Sequence, residues 1–238
     1  MPQEPEPPSE LRRQRESWLR RTRSEWYRVI RPHGRWVPWD LADQVQLDDS
    51  ETEDYFQPAS TLSARHLKNC RLVAERAELL KSCLPKHGVV AEIGTDQGNF
   101  AALILEHAAP TQFHVIDRTL NNFRRDRFEK AIAAGQMHLH EGDSASIVGR
   151  FGDATFDWIY IDADHSYEGV KRDICVAKMK IKPGGLLVFN DYIFWSHREL
   201  ESYGVVQAVN EFCLAEDWEL LYVALHPEMY QDVVLRKI

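Results

Sequence analysis

The sequence predicts an α/β protein: a doubly wound, mostly parallel seven-stranded sheet with a C-terminal antiparallel hairpin, preceded by a helical extension. Two observations carry this. From Leu62 onward, short apolar runs alternate with helix-patterned segments, and the runs are too uniformly apolar for a sheet with one wet face. The last two runs are separated only by His226, Pro227 and Glu228, too short a stretch for a crossover helix, so they read as a hairpin.

The elements follow in order. Residues 1–8 carry four prolines and few apolar groups, too little to offset the entropy of ordering, and are expected to be disordered. Ser9 to Ile30 reads as a helix, because Leu11, Trp18, Leu19, Trp26 and Ile30 share one face at helical spacing. Pro32 and Gly34 stop it. An acidic linker then runs to about Thr61, which divides the chain into an extension over 1–61 and a main domain over 62–238. Within the main domain, Leu67, Leu72, Val73, Ala77, Leu79, Leu80 and Leu84 suggest one helix ending at Pro85. The strands expected after it are Val89–Ile93, Gln112–Ile116, Met137–His140, Trp158–Ile161, Leu186–Phe189, Leu220–Ala224 and Val233–Leu235. Helices are expected between the first five, at Asn99–Ala108, Asn121–Ala134, Ser144–Val148 and Tyr167–Met179.

Composition narrows the function. The 238 residues are 44% hydrophobic, enough for one well-buried core, and no run approaches the roughly 20 apolar residues a membrane span needs. The acidic, proline-rich start is unlike a signal peptide, and the cysteines Cys70, Cys83, Cys175 and Cys213 form no CxxC pair, so a reduced, cytoplasmic protein is expected. A net charge of −8 argues against nucleic acid as a partner of the whole surface. Charge is nevertheless segregated: residues 11–35 hold nine arginines, and residues 41–64 hold six acids and no base. Four of the seven tryptophans lie before residue 40, so the arginine-rich helix is expected to cover a protein surface, as a lid or as the contact of a homo-oligomer.

The most informative segment joins the strand Val89–Ile93 to Gly94, Thr95, Asp96, Gln97, Gly98, Asn99 and Phe100. Gly94 permits a tight turn, and Gly98 lets the following helix begin near a ligand. GxxxG alone also describes a generic strand–helix turn. Asp117 adds weight: it ends the next strand 25 residues after Glu92, where an acid accepts hydrogen bonds from both ribose hydroxyls of a nucleotide cofactor. Asp143 ends the third strand in the same way. A strand-end Asp can equally cap a helix, but successive carboxylates along one sheet edge suggest a site.

The order EIGTDQGNF, HVID, HEGDS, FDWIYIDADHSYEGVKRD and KPGGLLVFNDY resembles class I S-adenosylmethionine-dependent methyltransferases, which have a Rossmann-like fold. It is most similar to the group that includes the macrocin-type sugar O-methyltransferases and more distantly resembles the cation-dependent catechol-type enzymes. The resemblance covers about Leu62 to Ile238 and is strongest over Ile159–Asp173. It implies S-adenosylmethionine as cofactor, with Gly94, Thr95 and Gly98 along its methionine end, Asp117 at its ribose and Asp143 at its adenine. Glu92, Asp96, Asn99, Arg118, Ser144 and Asp162 complete the expected cofactor set. Asp96 stands where many members have the middle glycine of GxGxG.

Methyl transfer from a sulfonium requires an aligned and, for a hydroxyl, deprotonated acceptor, through a base or a divalent cation. The strand before Asp162, Ala163, Asp164 and His165 and the strand before Asn190, Asp191 and Tyr192 both end at the cofactor edge. The resemblance implies Mg²⁺ at Asp162, Asn190 and Asp191, where oxygen ligands suit a hard cation, and Asp164 as a base or cofactor contact. His165 is an independent candidate base by its chemistry. His138 and His140 share a strand face, as a metal pair or as packing. Tyr192, Phe194 and Trp195 could wall an acceptor pocket or pack in the core. The expected activity is O-methylation of a small hydroxylated acceptor, a sugar or natural-product type. The rivals are a nicotinamide-dependent oxidoreductase, which ordinarily carries the fuller GxGxxG, and a non-catalytic cofactor-binding regulatory or scaffold protein.

Overall fold

The structure, a computed structural model, describes residues 60–196, 198–199 and 201–238. The expected N-terminal helix and nearly all of the acidic linker lie outside them. The chain divides into two units, one of 58–194 with 203–238 and one of 1–57 with 195–202. In the latter, the described residues form a ribbon of two short antiparallel strands, Trp195–Ser196 and Glu201–Ser202.

The larger unit is built on eight strands: β1 (Arg71–Val73), β2 (Val89–Ile93), β3 (Gln112–Asp117), β4 (Met137–Glu141), β5 (Phe156–Ile161), β6 (Ile181–Phe189), and, after the ribbon strands β7 and β8, β9 (Trp218–Leu225) and β10 (Gln231–Lys237). Their order across the sheet is β1-β9-β10-β6-β5-β2-β3-β4. Only β10 runs antiparallel to its neighbours, which is the expected hairpin. All seven expected strands are present, most of them a residue or more longer than their apolar runs.

Side chains alternate across the sheet with period two. On β5, Trp158 and Tyr160 enter one core while Ile159 and Ile161 enter the other. Both faces are therefore covered, which is why the strands read as apolar runs. Burying one such aliphatic or aromatic side chain contributes about 1.5–3 kcal/mol. Helix α3 (Asn99–Ala108) covers the Trp158 face with Ala101, Ile104 and Ala108. On the Ile159 face lie α5 (Ser144–Val148), α6 (Tyr167–Lys180) and α7 (Val205–Glu216), with Ile147, Val170, Ile174, Val209 and Phe212 inward.

Three expectations change. The single helix expected through Leu67–Leu84 is instead α1 (Ala64–Leu67), β1, α2 (Arg76–Glu78) and a π-helical turn at Leu79–Cys83. The reason is the open edge of β9: Arg71–Val73 pairs in parallel with Tyr222–Ala224, with Leu72 exposed and Val73 buried. The helix expected over Asn121–Ala134 shrinks to a 3₁₀ turn at Arg125–Arg127 and α4 (Glu129–Ala133). Arg124 leaves helical geometry, at φ −82 and ψ 76, and its amide reaches the Gln97 carbonyl at 3.4 Å. Finally, α7 was not foreseen. Among the described residues no helix is long and apolar enough to cross a membrane.

Candidate active site

Strands β2, β3, β4, β5 and β6 are parallel, so their C-terminal ends share one edge. Backbone bonds carry the ladder one residue past the strands: Gly94 to Ile116, Asp162 to Ile93, Asn190 to Ile161 and Gly142 to Asp117, at 2.7–2.9 Å. The loops therefore leave the sheet at one level. Between β2 and β5 the order in which strands are added across the sheet reverses, and α3 follows β2 onto one face while α6 follows β5 onto the other. Such a switch point opens a crevice in a parallel sheet. Here the crevice is a cleft of about 1010 Å³.

The expected cofactor residues Glu92, Gly94, Thr95, Asp96, Asn99, Asp117, Arg118, Asp143, Ser144 and Asp162 all line it. Gly98 is buried beside it instead. Both glycines serve packing. At Gly94 (φ 82) a Cβ would lie 1.7 Å from the Asp162 carbonyl oxygen, so glycine lets the segments leaving β2 and β5 approach closely at the cleft floor. At Gly98 (φ 81) a Cβ would lie 2.7 Å from the Phe123 ring. Gly98 starts α3 beside the cleft, and its missing side chain makes room for the stacked Phe123–Phe128 pair. Asp96 takes φ 45, a conformation favourable to glycine, which explains how it fills a glycine position. Its side chain accepts a hydrogen bond from the Asn122 amide at 3.0 Å.

Asp117 organises this loop. Its Oδ2 accepts the amides of Thr95 (2.8 Å) and Asp96 (3.1 Å), and its Oδ1 accepts the amide of Thr119 (3.2 Å). Asp143 caps α5, accepting the Ser146 amide at 2.8 Å, so the capping role and a place on the cleft wall coincide in one residue. That hydrogen bonding holds its carboxyl below the ordinary value. Ser144 donates to buried Asp173 at 2.6 Å. Glu92 is 1% exposed, and burial pushes its carboxyl up to about 8 against the Thr95 hydroxyl bond of 2.9 Å. Burial thus favours the neutral carboxyl, and a cation placed beside it would favour the carboxylate.

The chemistry residues separate. Asp162 and Asp164 line the cleft, whereas His165, Asn190 and Asp191 are not among its lining residues. Asp164 accepts the Ser166 amide at 2.9 Å, and its bonds to Ser166 hold its carboxyl below the ordinary value, which disfavours it as a base. A Cβ on Gly169 would strike the Asp164 carboxyl, so the glycine makes room for it. His165 Nε2 lies 3.4 Å from Asp162 Oδ1 and 3.8 Å from Asp191 Oδ2, and its ring stacks on Tyr203 at 4.4 Å. Burial and the neighbouring Asp162 charge push Asp191 up to about 7.

The expected Mg²⁺ ligands do not assemble. The Asn190 side-chain amide nitrogen, not its oxygen, faces Asp162 at 2.9 Å, and its oxygen accepts from Tyr160 at 3.1 Å. His165 stands between the two acids that would hold the ion. Among the described residues no group of three His, Cys, Asp or Glu side chains is placed to hold a metal. His138 and His140 join His114 in a packed cluster, with His114 and His140 nitrogens 3.1 Å apart. Tyr192 turns to Asn210 on α7, and neither it nor Phe194 is among the lining residues.

Among the lining residues that sequence reasoning did not assign to the site are Arg76, Phe100, Arg172 and His226. Arg76 lies in a segment whose pattern signalled only a packing helix, and His226 lies in a turn. Phe100 closes the motif itself, so its position was the available signal.

Fold and cleft together define a Rossmann-like α/β protein with a cleft at the switch point of its sheet. Residues 91–192 match the model of a family described as a methyltransferase domain. The pyocyanin biosynthetic protein PhzM is similar in structure, with TM-score 0.53 and 12% identity over 68% of this chain and 54% of that one. A Bacillus subtilis tRNA methyltransferase, TrmK, gives 0.51 and 15% over 69% and 66%. An Aquifex aeolicus SAM-dependent methyltransferase gives 0.51 and 15% over 81% and 100%. The chain thus spans about half the length of PhzM. No curated protein matches the sequence. The family match covers less than half of the chain, and the solved structures share its fold.

Proposed function

We propose that this protein transfers a methyl group from S-adenosylmethionine to a hydroxyl of a small acceptor, of the sugar or natural-product type. The observation that carries the reading is the gathering of Asp117, Asp143, Asp162 and Asp164 on one cleft at the switch point. The donor set suits the cofactor. Asp117 Oδ1 accepts one amide and keeps a lone pair for ribose, and buried Glu92 offers an acid to the amino-acid end.

S-adenosylmethionine supplies an electrophilic methyl on a sulfonium. The chain must align the acceptor and take its proton. Asp164, held as an anion, suits anchoring the acceptor. His165 suits proton removal: it touches cleft-lining Asp162, and an imidazolium there is stabilised by Asp162 and Asp191. No step is assigned to a metal, because the Asn190 amide is turned the wrong way for one.

The test is methyl transfer from labelled S-adenosylmethionine to hydroxylated acceptors, with S-adenosylhomocysteine and NAD binding compared by calorimetry. S-adenosylhomocysteine should bind and NAD should not; the reverse sinks the reading. His165→Ala should lower turnover about 10²–10⁴-fold while leaving S-adenosylhomocysteine affinity unchanged. Chelator should have no effect, and inhibition reversed by Mg²⁺ would overturn the metal-free route.

A further inference from the structure

Helix α7 carries a polar residue on its inward face. Asn210 is 7% exposed and sits among the buried residues Val206, Val209, Phe212 and Cys213 of that helix. Asparagine is a poor residue for a helix interior, and a buried amide is costly unless it is hydrogen-bonded. Here both ends are paired. Its Oδ1 accepts the Tyr192 hydroxyl at 2.5 Å, and its Nδ2 donates to the Ser60 carbonyl at 2.8 Å. An apolar residue of the same shape would serve packing nearly as well, so the amide calls for a reason beyond packing.

Tyr192 supplies that reason. It stands directly after Asp191, whose backbone takes φ 54. A residue with a side chain is strained in that left-handed conformation and keeps it only where the surroundings hold it. Tyr192 is tied at two points: its amide donates to the Gln231 carbonyl at 2.6 Å, and its hydroxyl to Asn210. The Asp191 Oδ2 so placed lies 3.8 Å from His165 Nε2. The same helix grips the other member of that pair. The amide of Gly204, the N-cap of α7, donates to the His165 carbonyl at 2.8 Å, and the Tyr203 ring stacks on the imidazole at 4.4 Å. Helix α7 comes so near because Gly204 has no side chain: a Cβ there would lie 2.2 Å from the Tyr167 amide nitrogen at the start of α6. Two side chains on loops after different strands are thus held by one helix, His165 from its N-terminus and Asp191 from Asn210 through Tyr192.

We propose that Asn210 is a positioning residue: through the Tyr192 hydroxyl it keeps Asp191 in its strained backbone conformation and so beside His165. The proposal rests on the methyltransferase reading, in which an imidazolium at His165 is stabilised by Asp162 and Asp191. Without the bond between Asn210 and Tyr192, the loop after β6 relaxes, Asp191 withdraws and His165 keeps Asp162 but loses Asp191. The expected cofactor residues after β2, β3 and β4 are not held by this loop and stay in place.

The experiment compares the full chain with its Tyr192→Phe variant, which removes the hydroxyl and leaves Asn210 its bond to Ser60. Crystal structures of the two should show Asp191 withdrawn from His165 in the variant. Turnover, read as methyl transfer from labelled S-adenosylmethionine to a hydroxylated sugar, should fall about tenfold to a hundredfold, the scale of a small misplacement near the chemistry. S-adenosylhomocysteine affinity by calorimetry should be unchanged, a split that general loosening of the fold would not produce. Asn210→Leu should lower turnover as much as Tyr192→Phe, and the double variant no further, since the two residues act in one chain. Asn210→Asp keeps an acceptor for Tyr192 and should retain most of the turnover. An unmoved Asp191 in the Tyr192→Phe crystal overturns the proposal, even if no Asn210 variant folds. Full turnover in Tyr192→Phe overturns it too, as does an equal loss of turnover and of S-adenosylhomocysteine affinity. If the wild type transfers no methyl group, the methyltransferase reading falls, while the crystal comparison still decides whether Asn210 and Tyr192 place Asp191.

Discussion

Asp117 shows how one carboxylate can serve structure and ligand together. It accepts three backbone amides, from Thr95, Asp96 and Thr119, and those amides belong to the two loops that frame the cleft. Asp117→Ala therefore removes more than a ribose acceptor, because it frees the loop carrying Thr95 and Asp96. The expected loss of S-adenosylhomocysteine affinity is about 1.5–3 kcal/mol. Asp117→Asn separates the two contributions, since an amide oxygen can still accept but its nitrogen cannot. Calorimetry showing full affinity for Asp117→Ala in a folded protein would remove Asp117 from the ribose. The same scale explains what the sequence could not disclose. Asp143 reads as either a cap or a ligand residue, and it is a cap that lines the cleft. Arg76 carries no motif at all, and its place on the cleft wall arises only when Phe100, Tyr160 and Asp232 meet around it.

The elements around the cleft depend on close approach. Gly98 is the N-cap of α3 in a left-handed conformation, with the Phe123 and Phe128 rings against it. Gly98→Ala should destabilise the protein by about 1–2 kcal/mol from backbone conformation alone, and further from the ring contact. Urea unfolding checks this, and Phe123→Leu in the same chain should recover only part of the steric cost, because the Phe128 ring would still stand 2.8 Å from the new Cβ. A neutral Gly98→Ala would mean that the β2–α3 turn is not built as described. The β2–α3 turn was legible in the sequence because glycines, an apolar run and a helix pattern coincide there. The strands were legible for a similar reason, burial on both faces leaving an unbroken apolar signature. Around Leu72 and Val73 the pattern misled: apolar spacing suited a helix, and only the vacant edge of β9 made it a strand. Helix α7 was missed although Val205, Val209, Phe212 and Cys213 show helical spacing. Asn190 could not be read in advance, because the sequence names an amide without saying which of its ends faces Asp162.

At the scale of the whole molecule, the buried acids and histidines set a dependence of stability on pH. Burial lowers His114 from 6.5 to about 4, helped by His138 and His140. The unfolded chain therefore binds more protons there between about pH 4 and 6.5, and this group makes stability rise with pH across that window. The buried acids act in the opposite sense. Glu92 is raised from 4.5 to about 8, Asp191 from 3.8 to about 7 and Asp232 from 3.8 to about 6, each chiefly by burial. The folded chain binds more protons at these groups, so their contribution is present below their unfolded values and lost as pH rises through the folded ones. The two effects oppose each other up to about pH 6.5, and above it the raised acids Asp191 and Glu92 continue to titrate. Stability without ligand should therefore decline between pH 6.5 and 8, by up to about 1.4 kcal/mol per pH unit for each proton released. A cofactor whose ammonium meets Glu92 supplies the missing countercharge, so S-adenosylhomocysteine should bind more tightly at pH 8 than at pH 6.5. Below pH 8, binding should release a proton. Urea titrations with and without ligand at these two pH values check both halves. Calorimetry in buffers of different ionisation enthalpy counts the proton. A pH-independent affinity with no proton released would show that Glu92 does not meet the ammonium, while Glu92→Gln, already neutral, should bind weakly at both pH values with no proton exchange.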